Sequence, residues 1–355
     1  MENSRSKTTD PGKDIRSSLP PLVILAGPTA VGKTKLSIAL AEAIKGEIVS
    51  ADSCQVYRHM DIGSAKITRQ EMQGIPHHMI DILDPWEPFN VVVFQQKCKE
   101  CLTGIYERNR IPIVAGGTGF YIQALLRDID FTENQEETAY RQELECLARE
   151  KGAGYLHDLL RQVDPAAAEA IHANNIRRTI RALEYFHLTG EQISRHNEQE
   201  WEKESAYHSC YFVLTDLRER LYDRIDSRVD QMLAQGLVEE VEKLREWGCH
   251  RGMVSMQALG YKEILAYLDG ELSYEAAVET IKRDTRHFAK RQLTWFRRER
   301  DVIWVDRNTF QDDEDRILSY MLGVLAAKGI TDTRCKDFAQ KKSIKISQNI
   351  RGGIT

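Results

Sequence analysis

The stretch Gly27-Pro28-Thr29-Ala30-Val31-Gly32-Lys33-Thr34 decides how this chain is read. It fits the pattern G-x-x-x-x-G-K-[ST], follows the apolar run Leu22 to Ala26 and precedes a helical pattern beginning near Lys35. A strand that feeds a glycine-bent loop into a helix start aims several backbone N–H groups, and the positive end of the helix dipole, at one point. That arrangement suits a diphosphate. Lys33 adds a point charge, and Thr34 Oγ offers a ligand for Mg²⁺.

Outward from this loop, short β-rich runs alternate with helical stretches: Leu22 to Ala26, Glu47 to Ala51, His78 to Leu83, Ile111 to Ala115, Tyr211 to Leu214 and Val302 to Val305. Such alternation predicts an α/β fold, a phosphate-loop NTPase-like and mostly parallel sheet flanked by helices. The section 130–206 breaks the rhythm, with helical segments punctuated by Gly152, Asp164-Pro165 and Thr189-Gly190, and reads as an inserted all-helical domain. The catalytic core is then expected over 21–129 and 207–328, with one long helical pattern from Asp216 to about Trp247. Residues 1–20 read as a disordered lead-in and 329–355 as a flexible basic tail.

The bulk properties bound the function. A chain of 355 residues, 42% apolar, can bury a full core and divide into two domains. With 49 Lys and Arg against 54 Asp and Glu, overall charge gives no pull toward a polyanion, so such a partner needs local basic surfaces. The polar N-terminal residues carry no secretory signal, and no apolar stretch is long enough to cross a bilayer, so a cytoplasmic protein is expected. Seven scattered cysteines fit reduced thiols better than a disulfide framework.

Ligands of open α/β sheets gather at the carboxyl ends of the strands. Asp52 stands there, ending the run Ile48 to Ala51; its position fits equally a functional carboxylate or a turn cap. Gly116-Gly117-Thr118-Gly119 follows the strand Ile111 to Ala115, either as a close approach to a ligand with Thr118 offering a hydroxyl, or as a plain strand-to-helix turn. Arg220, Arg224 and Arg228 recur every four residues beside an apolar row, with Asp216, Glu219, Asp223 and Asp226 near enough to pair with them. Arg177, Arg178 and Arg181 cluster at a helix start, where cations are disfavoured unless an anion is met. From Lys282 to Arg300, basic residues interleave with Phe288, Trp295 and Phe296, a pattern suited to a nucleic-acid backbone or to an amphipathic helix packed by its aromatic face.

Together, the phosphate loop, Ser50-Ala51-Asp52-Ser53, the run Tyr57 to Lys66, Gly116 to Tyr121, Asp164-Pro165, Arg224 to Arg228, Gly260-Tyr261-Lys262-Glu263 and Ala289 to Arg297 resemble the tRNA dimethylallyltransferases, also called tRNA isopentenyltransferases. The likeness spans roughly residues 20 to 310. It implies transfer of a dimethylallyl group from dimethylallyl diphosphate to N6 of the adenosine 3′ of the anticodon, with diphosphate released. The phosphate loop then holds the donor's diphosphate together with Arg228, and Mg²⁺ near Thr34 is the cofactor. The resemblance assigns Asp52 as proton acceptor and Thr118 as the residue that holds the base. It also implies tRNA contacts at Asp52-Ser53-Cys54-Gln55, at Arg177-Arg178-Thr179-Ile180-Arg181, at Gln257-Ala258-Leu259-Gly260-Tyr261-Lys262 and at Arg141, with the tRNA anticodon stem-loop as partner of a monomeric enzyme. Two departures stand out: His59 replaces a usual glycine, and Asn175-Ile176-Arg177 replaces the usual Asp-Pro-Gln. The competing readings are a small-molecule kinase that uses the loop for ATP, a non-catalytic RNA binder, and transfer of the same group to free AMP.

Overall fold

The computed structural model describes residues 19–131 and 139–331. The expected lead-in up to residue 18 and the tail from residue 332 lie outside the described residues. The chain forms two compact units, one joining Met1–Leu126 with Tyr207–Thr355 and the other made of Arg127–Ala206.

The first unit is built on six parallel strands: β1 (Pro21–Ala26), β2 (Gly46–Ala51), β3 (His77–His78), β4 (Ile111–Gly116), β5 (His208–Thr215) and β6 (Val302–Asp306), in the order β3-β2-β4-β1-β5-β6. Every residue from Leu22 to Ala26 is fully buried, as expected of a central parallel strand covered on both faces. Alternate side chains divide between two cores. Leu22 and Ile24 pack with Phe94, Ile122 and Phe296, whereas Val23 and Leu25 pack with Leu36, Leu40 and Met321. The covering helices are α1 (Lys33–Ile44), α2 (Val91–Glu107), α3 (Gly119–Leu126), α8 (Arg218–Ala234), α9 (Leu237–Glu246), α10 (Tyr261–Leu268), α11 (Tyr274–Phe296) and α12 (Glu314–Ala327).

The second unit consists of α4 (Ala139–Val163), α5 (Pro165–Ala170), α6 (Ile176–Thr189) and α7 (Ile193–Glu202), around a core that includes Leu144, Leu156, Leu160, Ile180 and Leu183. Its punctuation follows the sequence closely. Gly152 kinks α4 at φ 83°, Asp164 caps α5 through Ala167 N at 2.9 Å, and Gly190 ends α6 at φ 74°.

Two expectations need correction. The strand expected over His78 to Leu83 shrinks to His77–His78, because Met79 and Asp81 adopt left-handed φ values of 63° and 54°. The chain after them turns back to the 52–57 loop, with Asp81 N donating to Gln55 O and Ile82 N to Val56 O. The long helix expected from Asp216 to Trp247 is two helices, broken at Gly236, whose φ of 101° no helix accommodates.

Glu47 is the charged residue of the buried strand β2, being 4% exposed. Arg108 donates to it from Nε at 2.9 Å and Nη2 at 2.7 Å, and His78 Nε2 lies 2.7 Å away. The Arg108 hydrogen bonds, with help from His78, hold its carboxyl below the usual carboxylate range against the opposing effect of burial. A folded-state pKa below the unfolded one stabilises the fold above the unfolded pKa of about 4.3, and the gain is lost as pH falls through the folded value. Glu47→Gln is therefore expected to lower unfolding free energy at pH 7 by about 1.5–3 kcal/mol, the range for hydrogen bonds to a charged group. Urea titrations from pH 7 to pH 3 should show the gap between variant and wild type closing. A gap independent of pH would contradict this assignment.

Candidate active site

Strand register gathers the site. Ala26 pairs with Gly116, and Gly116 pairs with Ala51, so the residues that follow each strand, Gly27, Gly117 and Asp52, leave the sheet at one edge. The loop from Gly27 then passes into α1. Gly27 has φ 151°, and a Cβ there would lie 2.8 Å from Leu214 O; Gly32 has φ 94° and forms the left-handed N-cap. Both positions thus require glycine. Lys33 Nζ folds back over the loop, donating to Gly27 O at 2.9 Å and Pro28 O at 2.7 Å. The residue keeps partial exposure while its ammonium is enclosed. Burial, reinforced by the Arg228 guanidinium and opposed by Asp52, pulls the Lys33 pKa down to about 7.

The Asp52 carboxylate serves as turn cap and cleft residue at once. Its Oδ1 accepts from Cys54 N at 2.8 Å and Gln55 N at 3.3 Å, while Oδ2 takes no hydrogen bond among the described residues. The two readings of this residue are compatible, because a carboxylate has an oxygen for each. Cys54 beside it is held in the thiol form. Burial and then the Asp52 charge push its thiol up to about 12.

The Gly116-Gly117-Thr118-Gly119 turn owes its glycines to close approach rather than to unusual φ. A Cβ on Gly116 would lie 2.2 Å from Ala51 O, one on Gly117 2.2 Å from Gln292 Nε2, and one on Gly119 2.1 Å from the Trp295 ring. Thr118 follows at the same edge, its N–H donating to Ala51 O at 3.4 Å, and its carbonyl accepts from Tyr121 N at 3.0 Å and Ile122 N at 3.3 Å in the first turn of α3.

The arginines of α8 divide cleanly. Arg220 and Arg224 are held by Asp216, whose side chain is fully buried, and by Asp312. Arg228 has no ion pair among the described residues and faces a cleft of about 540 Å³ together with Thr29, Lys33, Thr34, Asp52 and Gln292. Burial lowers its pKa and the Asp52 carboxylate opposes that. Lys33, Arg224 and Arg228 set against Asp52 and Asp223 leave the cleft with three cationic and two acidic side chains, a balance that favours a bound polyanion. No group of three or more His, Cys, Asp or Glu suited to a metal occurs among the described residues. A Mg²⁺ at Thr34 thus fits only as an ion held largely by the ligand's own oxygens and water, which is its usual habit.

The remaining expected contacts separate by exposure. Arg177 and Arg178 are exposed at the start of α6, whereas Thr179 and Ile180 are buried in the helical core. Asn175 caps this helix by accepting from Arg178 N at 3.3 Å, so the departure from Asp-Pro-Gln keeps the capping chemistry. Arg181 is half-buried, and Arg141 is paired with Glu184 at 2.5 Å. Tyr261 is fully buried, so it presents no surface to RNA. Its hydroxyl donates to Glu240 at 2.7 Å, and Glu240 also accepts from the backbone N–H of Asp61, Ile62 and Gly63. Of its neighbours, Gln257 is exposed and Ala258, Leu259 and Lys262 are partly so, while Gly260 is buried. His59 occupies its glycine-type position at φ 65°, its ring against Trp247 at 4.9 Å. Sequence reasoning missed Glu240, Asp312 and Gln292, whose partners lie 177 or more, 88 or more and 175 or more residues away, save the Tyr261 and Arg307 contacts.

Comparison with known proteins agrees with this geometry. The IPP transferase family matches residues 55–299 and the isopentenyl transferase family residues 20–82. A tRNA dimethylallyltransferase of Lachnoclostridium phytofermentans is 62% identical over 87% of this chain and 99% of the relative, and one of Bacillus licheniformis is 49% identical over 86% and 98%. Among solved structures, the tRNA isopentenylpyrophosphate transferase of Bacillus halodurans aligns with TM-score 0.65 at 46% identity, covering 87% of this chain and 98% of that one. A eukaryotic dimethylallyltransferase described as acting on tRNA aligns with TM-score 0.74 at 29% identity, covering 87% and 80%. With its phosphate loop, sheet-edge carboxylate and cleft arginine set out in this order, the chain belongs to the tRNA dimethylallyltransferase family.

Proposed function

We propose that this protein transfers a dimethylallyl group from dimethylallyl diphosphate to N6 of the adenosine 3′ of the anticodon in tRNA, acting as a monomer in the cytoplasm. One observation carries the reading: a carboxylate with an uncommitted oxygen shares a cleft with Lys33 and Arg228 at the mouth of a phosphate loop. The diphosphate sits on the loop. Ionising an allylic C–O bond leaves charge on the departing oxygen, which the loop amides, Lys33 and Arg228 stabilise in place. Thr34 would help to hold a Mg²⁺ ion, which when bound would supply further neutralisation of that charge. The adenine leaves its stack to reach the cleft, and Thr118 orients it by hydrogen bonding. Its N6 amine is a weak nucleophile, because the lone pair is delocalised into the ring. Asp52 Oδ2 removes the N6 proton as the C–N bond forms.

Exposed Arg177 and Arg178 suit the phosphates of the anticodon stem. So does a groove on α11 lined by His287, Lys290, Arg291, Thr294, Trp295 and Arg298, where Arg298 lies 5.8 Å from the Trp295 ring centre. Lys290, Arg291, Arg297 and Arg298 of the basic segment are exposed, whereas Lys282 and Arg286 pair with Asp230 and Asp226 of α8, and Phe296 packs into the core.

Three outcomes test this. Incubation with dimethylallyl diphosphate, Mg²⁺ and unmodified tRNA, followed by nucleoside mass spectrometry, should yield N6-isopentenyladenosine. ATP-dependent phosphorylation without that product, or product on free AMP alone, would refute the assignment. Asp52→Asn should lower kcat by about 10²- to 10⁴-fold while tRNA affinity changes by less than about threefold; equal loss of both would make Asp52 a binding residue only. Lys290→Ala and Arg298→Ala should each flatten the dependence of log affinity on log salt by roughly 0.7–0.9 for every phosphate that the variant no longer neutralises. An unchanged slope would remove this groove from the RNA interface.

A further inference from the structure

Near the end of α11, the buried Gln292 joins two loops that the sequence keeps far apart. Its Oε1 accepts from Thr29 N in the phosphate loop at 2.9 Å, and its Nε2 donates to Gly117 O at 2.9 Å. The residue is 7% exposed. The orientation of its amide is fixed by its partners, since an N–H must meet the oxygen and a carbonyl the nitrogen. The seat needs glycines opposite it: a Cβ on Gly117 would overlap Nε2, and one turn along the helix Gly119 leaves room for Trp295 in the same way.

The geometry assigns Gln292 as the brace that sets the distance between the donor cradle and the acceptor loop, an assignment that rests on the transfer reaction proposed above. Thr29 belongs to the loop that holds the diphosphate. Gly117 immediately precedes Thr118 and leaves β4 beside Asp52. Transfer requires the allylic carbon and the adenine nitrogen about 3–3.5 Å apart, and a misplacement of about 1 Å costs on the order of 10²-fold in rate. One amide therefore couples the positions of the two loops that hold the substrates, and through them acts as a positioning residue.

Loosening the brace has a chemical signature. When the allylic C–O bond to diphosphate breaks in a wild-type complex, the carbon bonds to N6, and Asp52 takes the amine's proton. With the adenine displaced, water is the competing nucleophile. A C–O bond then forms to the water oxygen, the surplus proton passes to solvent, and the products are dimethylallyl alcohol and diphosphate.

The test compares wild type with Gln292→Glu, which keeps the acceptor for Thr29 but faces Gly117 O with an oxygen, and Gln292→Met, which keeps the length and loses both bonds. Diphosphate released and isopentenyladenosine formed are counted in the same reactions, alongside kcat, the KM for donor and the thermal midpoint. Wild type should give the two products one to one. Both variants should lose about 10- to 100-fold in kcat with donor KM within about threefold, and should release more diphosphate than they form modified adenosine. A one-to-one ratio in both variants, whether at unchanged kcat or with kcat and thermal midpoint falling together, would overturn the brace and leave Gln292 a packing residue. Diphosphate release by wild type without modified adenosine would overturn the transfer reading, and the brace with it.

Discussion

The register of three parallel strands is the constraint on which the rest depends. Because Ala26 and Ala51 both pair with Gly116, the phosphate loop, the Asp52 turn and the glycine-rich turn all begin at the same height on the sheet. The pairing is enforced by burial, since a slip of one residue would turn Ile24, Val49 and Val114 away from one core and Val23, Ile48 and Ile113 away from the other. Functional geometry is here a by-product of hydrophobic packing. Gly116 is the point at which the two meet, since any side chain there would collide with the Ala51 backbone.

Electrostatics then selects which of the gathered residues act. Three arginines share one face of α8, and Arg224 and Arg228 both line the cleft, but Arg220 and Arg224 are paired with Asp216 and Asp312 whereas Arg228 has no ion pair among the described residues. Burying Arg228 and Lys33 without an anion is unfavourable: burial lowers the pKa of each, and the Arg228 charge lowers that of Lys33 further. That cost is incurred on folding rather than on binding. A diphosphate arriving in the cleft finds donors already oriented, and these stabilise a leaving group with little reorganisation.

Much of the fold and site is legible in the sequence, and what is not has physical reasons. The phosphate loop, Asp52 and the strands β1, β4 and β5 follow from local pattern, because glycine spacing and apolar runs are local signals. The His78 to Leu83 run misleads because its apolar residues serve a loop whose backbone is turned by Met79 and Asp81 in left-handed conformation, which composition does not reveal. Tyr261 sits in a motif that looks like a contact stretch, but its burial depends on Glu240 and Gly63, distant in sequence. Gln292 lies within the matched segment Ala289 to Arg297, where its charged neighbours draw the eye. Only three-dimensional closure of α11 on two loops gives the amide its partners.

The most direct measurement is a crystal structure with a non-ionising thiolo analogue of the donor and an anticodon stem-loop. The account predicts diphosphate oxygens on the Gly27 to Thr34 amides within reach of Arg228, and an extruded adenine whose N6 lies about 2.6–3.2 Å from Asp52 Oδ2. An adenine bound away from Asp52, or the donor's diphosphate held outside the phosphate loop, would contradict it.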